Sequence, residues 1–180
     1  DRDASSRNDL GILDMSASAG LAAFDRHTGQ LLWQTKARYS FLHNGIVAGG
    51  GHIYCLDKLP GSAEARLRRR GLLSEHAYRI VALDARKGTP LWQREEAIFG
   101  SWLSYSQKHD ILLLAGAAGS DRLKDEVGQG MTAYQGKTGA IVWRDLQRGY
   151  SGPCMLHNDV ILTNANSYQK SSGAFSVLDG

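Results

Sequence analysis

One thirteen-residue segment recurs without gaps, and its fixed spacing constrains the fold more than any other feature. The first copy runs from Leu21 to Trp33, the second from Ile80 to Trp92 and the third from Met131 to Trp143. A fourth is read as opening at Phe175 and stopping at Gly180, with Asp179 in the acidic position. Each copy starts with a short apolar run, the pattern of a buried strand. An acidic or amide residue follows (Asp25, Asp84 or Gln135), and its side chain can accept N–H groups from the turn it starts. Four residues later stands a glycine (Gly29, Gly88 or Gly139), where a hairpin of this length needs positive φ. Four residues beyond that stands Trp33, Trp92 or Trp143. A large ring at a fixed position on the returning strand fits packing between neighbouring sheets.

Two more strands are expected ahead of each later hairpin. Ile46 to Ala48 and His52 to Leu56 flank the turn Gly49-Gly50-Gly51. Trp102 to Tyr105 precedes Ile111 to Ala115, and Cys154 to Leu156 precedes Val160 to Thr163. Four short antiparallel strands joined by tight turns, and recurring, is the blade pattern of a β-propeller. Pro90 begins a returning strand; proline cannot donate to a ladder, so that strand is expected at a sheet edge. The fold class is therefore all-β, a partial propeller of four-stranded antiparallel blades. The 180 residues divide into blade parts at about 9–38, 39–97, 98–148 and 149–180. The chain is expected to enter and leave in mid-blade, as a segment of a larger propeller.

The Trp-to-Trp spacings, 59 and 51, exceed an ordinary blade repeat. The excess falls between second and third strands, at about 59–77 and 119–130. Ala63 to Arg70 in the first insertion is read as a short helix ending at Gly71. Loops on a rigid scaffold commonly carry recognition. Arg66, Arg68, Arg69 and Arg70, with Asp121, Arg122 and Lys124 of the second insertion, are therefore a candidate binding rim for a protein or glycan.

Composition excludes little else. The formal charge of +3 does not argue for nucleic acid. No apolar run is long enough to span a membrane as a helix. Cys55 and Cys154 lack metal-type spacing and read as two core thiols, although a disulfide between them is a matter of geometry that spacing does not decide. His52, His109 and His157 recur near the turns between first and second strands and read as turn polarity. Asp57, Glu75, Asn164 and Asn166 are calcium-type donors whose spacing does not gather them. No nucleophile elbow or phosphate loop is present, so no catalytic residue is named.

The signature Asp-x-x-Thr-Gly-x-x-x-Trp is complete at Asp25, Thr28, Gly29 and Trp33. Lys87 takes the threonine place in the second copy, and Thr138, Gly139 and Trp143 keep the third. This resembles the tryptophan-docking repeat of pyrroloquinoline quinone (PQQ)-like propellers, over nearly the whole chain. The resemblance implies either of two classes. One is a non-catalytic binding or scaffold module of the bacterial envelope, periplasmic and without cofactor, as in the lipoprotein that assists outer-membrane barrel assembly. The other is a fragment of a dehydrogenase whose centre of PQQ and calcium is completed by residues outside these 180. The disulfide between adjacent cysteines found in many alcohol-oxidising members has no counterpart here.

Overall fold

In the computed structural model, the described residues are 17–72, 78–116, 130–147, 151–164 and 174–180. They form twelve antiparallel strands and one helix. The strands are β1 (Ala17–Phe24), β2 (Leu31–Gly49), β3 (His52–Asp57), β4 (Arg79–Asp84), β5 (Pro90–Arg94), β6 (Trp102–Ser106), β7 (Ile111–Ala115), β8 (Met131–Gln135), β9 (Ile141–Asp145), β10 (Ser151–His157), β11 (Val160–Asn164) and β12 (Ala174–Ser176). Helix α1 (Gly61–Arg69) lies between β3 and β4.

The hydrogen-bonded orders are β1-β2-β3-β4-β5, β6-β7-β8-β9 and β10-β11-β12. The β6-β7-β8-β9 sheet is a complete up-and-down blade. The first set holds two blades joined through β2, which runs unbroken across the expected boundary between residues 38 and 39. The first half of β2 pairs with β1 through Gly20↔Lys36 to Phe24↔Leu31, and the second half pairs with β3 through Ile46↔Cys55 to Gly49↔His52. One strand thus leaves one blade and enters the next. The elbow is held by Asp57, whose carboxylate accepts the backbone N–H groups of Arg38 (2.7 Å) and Tyr39 (2.8 Å) and the Arg79 Nε–H (2.9 Å). A register shift between Phe41 and Ile46 takes up the bend.

The sheets stack face to face, which explains why the inner strands read as continuous apolar runs rather than alternating ones. Along β4, side chains alternate between two cores. Val81 and Leu83 pack with Phe41 and Cys55 at the junction with the first blade. Ile80 and Ala82 pack with Leu103, Leu112, Leu114 and Tyr134 of the β6-β7-β8-β9 sheet. The next junction repeats the arrangement, with Ile111, Leu113, Met131 and Ala133 against Cys154, Ile161 and Val177. Each fully buried Leu or Ile contributes about 1.5–3 kcal/mol, so the strands of the two central blades supply most of the apolar stabilisation. Pro90 begins β5, which pairs only with β4 and so sits at an edge.

Helix α1 begins two residues earlier than the sequence suggests. It ends in a Schellman closure, with Gly71 N–H donating to the Arg68 carbonyl, Leu72 N–H to the Leu67 carbonyl, and Gly71 at φ +64°. Glu64 in the first turn and arginines in the last complement the helix dipole.

Candidate functional site

The repeat residues lie at the junctions between blades. In the first hairpin the Asp25 carboxylate accepts the N–H groups of His27 (2.9 Å) and Thr28 (2.8 Å) and the Thr28 hydroxyl (2.9 Å). Gly29, at φ +71°, donates its N–H back to the Asp25 carbonyl at 2.8 Å. In the second hairpin Asp84 accepts from Arg86 and Lys87, and Gly88 donates to its carbonyl. Lys87 has no hydroxyl to add a third bond.

The third hairpin has no carboxylate of its own, and the neighbouring turn supplies one. Gln135 Nε2 donates to Asp110 Oδ2 at 2.7 Å, and the same oxygen accepts the Lys137 N–H at 3.2 Å, the bond that His27 and Arg86 make within their own turns. Asp110 Oδ1 also accepts the Tyr105 hydroxyl at 2.7 Å. Burial pushes the Asp110 carboxyl up, but the donors Tyr105, Gln135 and Lys137 outweigh it and hold the group below its ordinary value. Asp110 was not singled out in the sequence. A signal existed, because an acid closes the turn ahead of β7 just where the third repeat lacks one. Thr138 bonds the Ala140 N–H, and Gly139 repeats the glycine bond.

From each hairpin the indole reaches forward. Trp33 Nε1–H donates to the Ala85 carbonyl (3.1 Å), Trp92 Nε1–H to Gly136 (2.8 Å) and Trp143 Nε1–H to Val177 (2.9 Å). The accepting residue is always the one after the acidic position. The rings lie against Gly88, Gly139 and Gly180, where an added Cβ would come within 2.5, 2.7 and 3.2 Å of ring carbons.

That regularity corrects the fourth repeat. Val177 is the acceptor and Gly180 the glycine, so the acidic place belongs to Ser176, not Asp179. Strand pairing agrees, since Val160↔Ser176 repeats His52↔Asp84 and Ile111↔Gln135. The Ser176 hydroxyl accepts the Leu178 N–H at 3.2 Å, as the carboxylates do, and Asp179 falls in the threonine place. Taking Phe175 to Leu178 as the apolar run and Asp179 as the acid misplaces the copy by three residues, because serine performs the capping expected of aspartate.

Of the expected binding rim, Arg66, Arg68, Arg69 and Arg70 lie on or just after α1. Arg68 pairs with the buried Glu64 at 3.0 Å, while Arg69 and Arg70 are exposed beside exposed Leu72. The helix base rests on a polar cluster. Burial, then the nearby Glu64 carboxylate, raises the Tyr78 phenol well above its ordinary value. The Lys58 ammonium lies 5.5 Å from the Tyr78 ring centre and donates to the Gly100 carbonyl at 3.2 Å. Asp121, Arg122 and Lys124 lie outside the described residues, as do Glu75 and Asn166 and the side chain of Asn164. Asp57 is spent on the elbow.

Cys55 and Cys154 are buried and unbridged, and burial pushes both thiols up to about 12. His109 and Lys108 both bond Asp159 across the last junction, at 2.5 Å and 2.8 Å, and His52 stacks on Tyr54. A groove of about 440 Å³ runs along the inner strands β2, β6 and β10, lined by His43, Val47, Trp102, Tyr105, Cys154 and Met155 among others. Its lining holds no carboxylate, and His43 is engaged by the Ser18 hydroxyl at 2.8 Å. Among the described residues no three His, Cys, Asp or Glu side chains converge. Calcium takes six to eight oxygens including carboxylates, so the described lining of this groove does not by itself supply a calcium site.

Stacked antiparallel blades with an indole crossing each junction define a PQQ-like β-propeller, present here as a partial ring. Residues 10–144 match the PQQ_2 model, described as outer membrane protein assembly factor BamB, and the chain belongs to that family. BamB from Moraxella catarrhalis superposes with a TM-score of 0.56 at 19% identity, over 90% of this chain. This chain spans 43% of that one. The computationally designed Ika4 protein superposes at 0.55 with 12% identity, covering 91% of this chain and 83% of its own. Designed Ika8 superposes at 0.52, also at 12% identity, covering 82% and 38%. These likenesses show the fold. No curated protein matches the sequence.

Proposed function

We propose that this chain is a non-catalytic propeller module that binds protein within the bacterial envelope, with the first insertion as part of its contact surface. The match of residues 10–144 to the outer membrane protein assembly factor family carries the reading. The chemistry agrees with it. The polar side chains of the repeats are occupied in closing turns and joining blades, and the axial groove lacks the donors of a metal centre. Helix α1 instead presents exposed cations and Leu72 from a rigid base, the mixture of arginine and apolar surface that favours a protein contact.

The test places a photo-crosslinking residue at Arg69 or Arg70 in cells that export the full-length protein. Adducts with envelope proteins, weakened by Leu72→Glu and by reversing the neighbouring arginine, support the proposal. Adducts with polysaccharide alone would move the partner to a glycan. Equal labelling from a site on the β4–β5 turn, such as Arg86, would defeat the assignment of α1. Periplasmic location is checked separately, by protease access after outer-membrane permeabilisation.

A further inference from the structure

The two central blades fill the same repeat positions with different chemistry. In β4, Val81 and Leu83 belong to an apolar core, and Gln93 after the indole is an exposed side chain bonded by Arg79 at 2.9 Å. At these places the next blade has Thr132, Tyr134 and Arg144. Thr132 and Tyr134 stand two apart on β8, and Arg144 is the cross-strand partner of Thr132 on β9, so the three share a face. That face is turned to the preceding blade, because Tyr134 packs there with Tyr54, Leu56 and Ile80.

The polar atoms on this face are shut off from solvent. Thr132 and Tyr134 are 0% and 1% exposed, and neither hydroxyl bonds another protein group. Nε and Nη2 of Arg144 are buried and unbonded in the same way. The groups are near neighbours. Burial raises the Tyr134 phenol, and Arg144 and Thr132 lie close enough to pull it partway back. Arg144 also reaches Glu96 through Nη1 at 3.6 Å, but the Glu96 side chain is 81% exposed and its charge is screened by water. The Nε–Nη2 edge, with two parallel N–H groups, therefore keeps its positive charge uncompensated, a costly arrangement for a buried cation.

We infer that Thr132, Tyr134 and Arg144 form a buried site for one monovalent anion of halide size at the junction of the two central blades. Two guanidinium N–H groups and two hydroxyls supply four donors. A halide accepts from all four and cancels the charge. A water molecule satisfies the hydrogen bonds but leaves the charge unmatched. Carboxylates and phosphates carried on larger molecules are excluded, because all four atoms are closed to solvent. The preceding blade, with Val81 and Leu83 in these places, has no counterpart of the site.

The test is thermal unfolding of the full-length protein in sodium chloride, sodium bromide or sodium gluconate at one ionic strength. Crystals grown in bromide locate the ion by anomalous scattering. Chloride and bromide are expected to raise the melting temperature along a saturating curve relative to gluconate. Arg144→Met removes the charge at similar length and should abolish that halide dependence. Thr132→Val installs the residue type of the preceding blade and should weaken halide binding roughly threefold, as loss of one hydrogen bond requires. General salt effects act on parent and variants alike, so the difference between them reads the site. If Arg144→Met does not fold, Thr132→Val and the bromide crystal decide. An anomalous peak within hydrogen-bond distance of Arg144 and Tyr134 supports the inference. Equal melting of the parent in all three salts would overturn it, as would a halide dependence unchanged in the variants. A bromide crystal without a peak at these residues would assign the place to water and overturn it too.

Discussion

The first and third hairpins close the same turn with carboxylates from different places. Asp25 lies within its own turn and caps two N–H groups and a hydroxyl, at the exposed surface. The third turn carries Gln135 and borrows Asp110 from the preceding strand connection, half-buried under Tyr105. The first is a local device that can form as the hairpin forms. The third ties two strand connections of one blade together, so it exists only once the blade is assembled. The same split runs through the glycines: Gly29 needs only its backbone angle, whereas Gly88 and Gly139 need that angle and the space taken by an indole.

The glycine half of this comparison should give the largest effect. Gly88→Ala places a Cβ 2.5 Å from the Trp33 ring at φ +68° and is expected to cost about 3 kcal/mol, strain plus overpacking. Gly29→Ala should cost about 1 kcal/mol, the backbone term alone. Urea unfolding of the two variants measures the gap, and equal losses would break the distinction between covered and uncovered turns.

A sign reversal is expected next. Asp110→Ala removes the carboxylate that accepts from Gln135, the Lys137 N–H and the Tyr105 hydroxyl, leaving Gln135 only the Asp110 carbonyl at 3.2 Å, and should cost about 2 kcal/mol. Gln135→Asp on its own sets two carboxylates against each other and should also destabilise. In the Asp110→Ala background, Gln135→Asp should instead restore stability, because the turn regains an internal cap. A double-mutant cycle reads the coupling. Gln135→Asp with the same sign in both backgrounds would show that Asp110 is not the replacement cap.

The smallest effect is in pH. Backbone donors hold Asp25 and Asp84 below the ordinary 3.8, Thr28 foremost for the first and Lys87 for the second. A carboxyl depressed in the folded state means that the unfolded chain binds more protons, so stability rises with pH across this window. Their contribution is complete above about pH 5 and is lost as the pH falls through 3.8 toward the folded values. Melting curves from pH 6 down to about pH 3 should decline less steeply for Asp84→Asn than for the parent chain. An unchanged slope would mean that the turn carboxylate does not contribute through its charge.

Sequence alone carried the architecture, because its causes are local and periodic. Apolar runs, a turn cap, a glycine and an indole at constant spacing name a hairpin and repeat it, and Pro90 marks an edge by its missing N–H. Tertiary structure decided what spacing cannot express. It showed that Ser176 caps where Asp179 had been aligned, since hydroxyl and carboxylate accept the same N–H groups. It showed that Asp110 serves a turn twenty-five residues away, and that β2 crosses between blades at an elbow held by Asp57. Among the described residues it left Phe24 59% exposed and buried Leu83, which the repeat treats as equals. The physical reason is common to all four: a hydrogen bond or a covering surface between distant residues exists only after the sheets have stacked, and no local pattern encodes which neighbour will arrive.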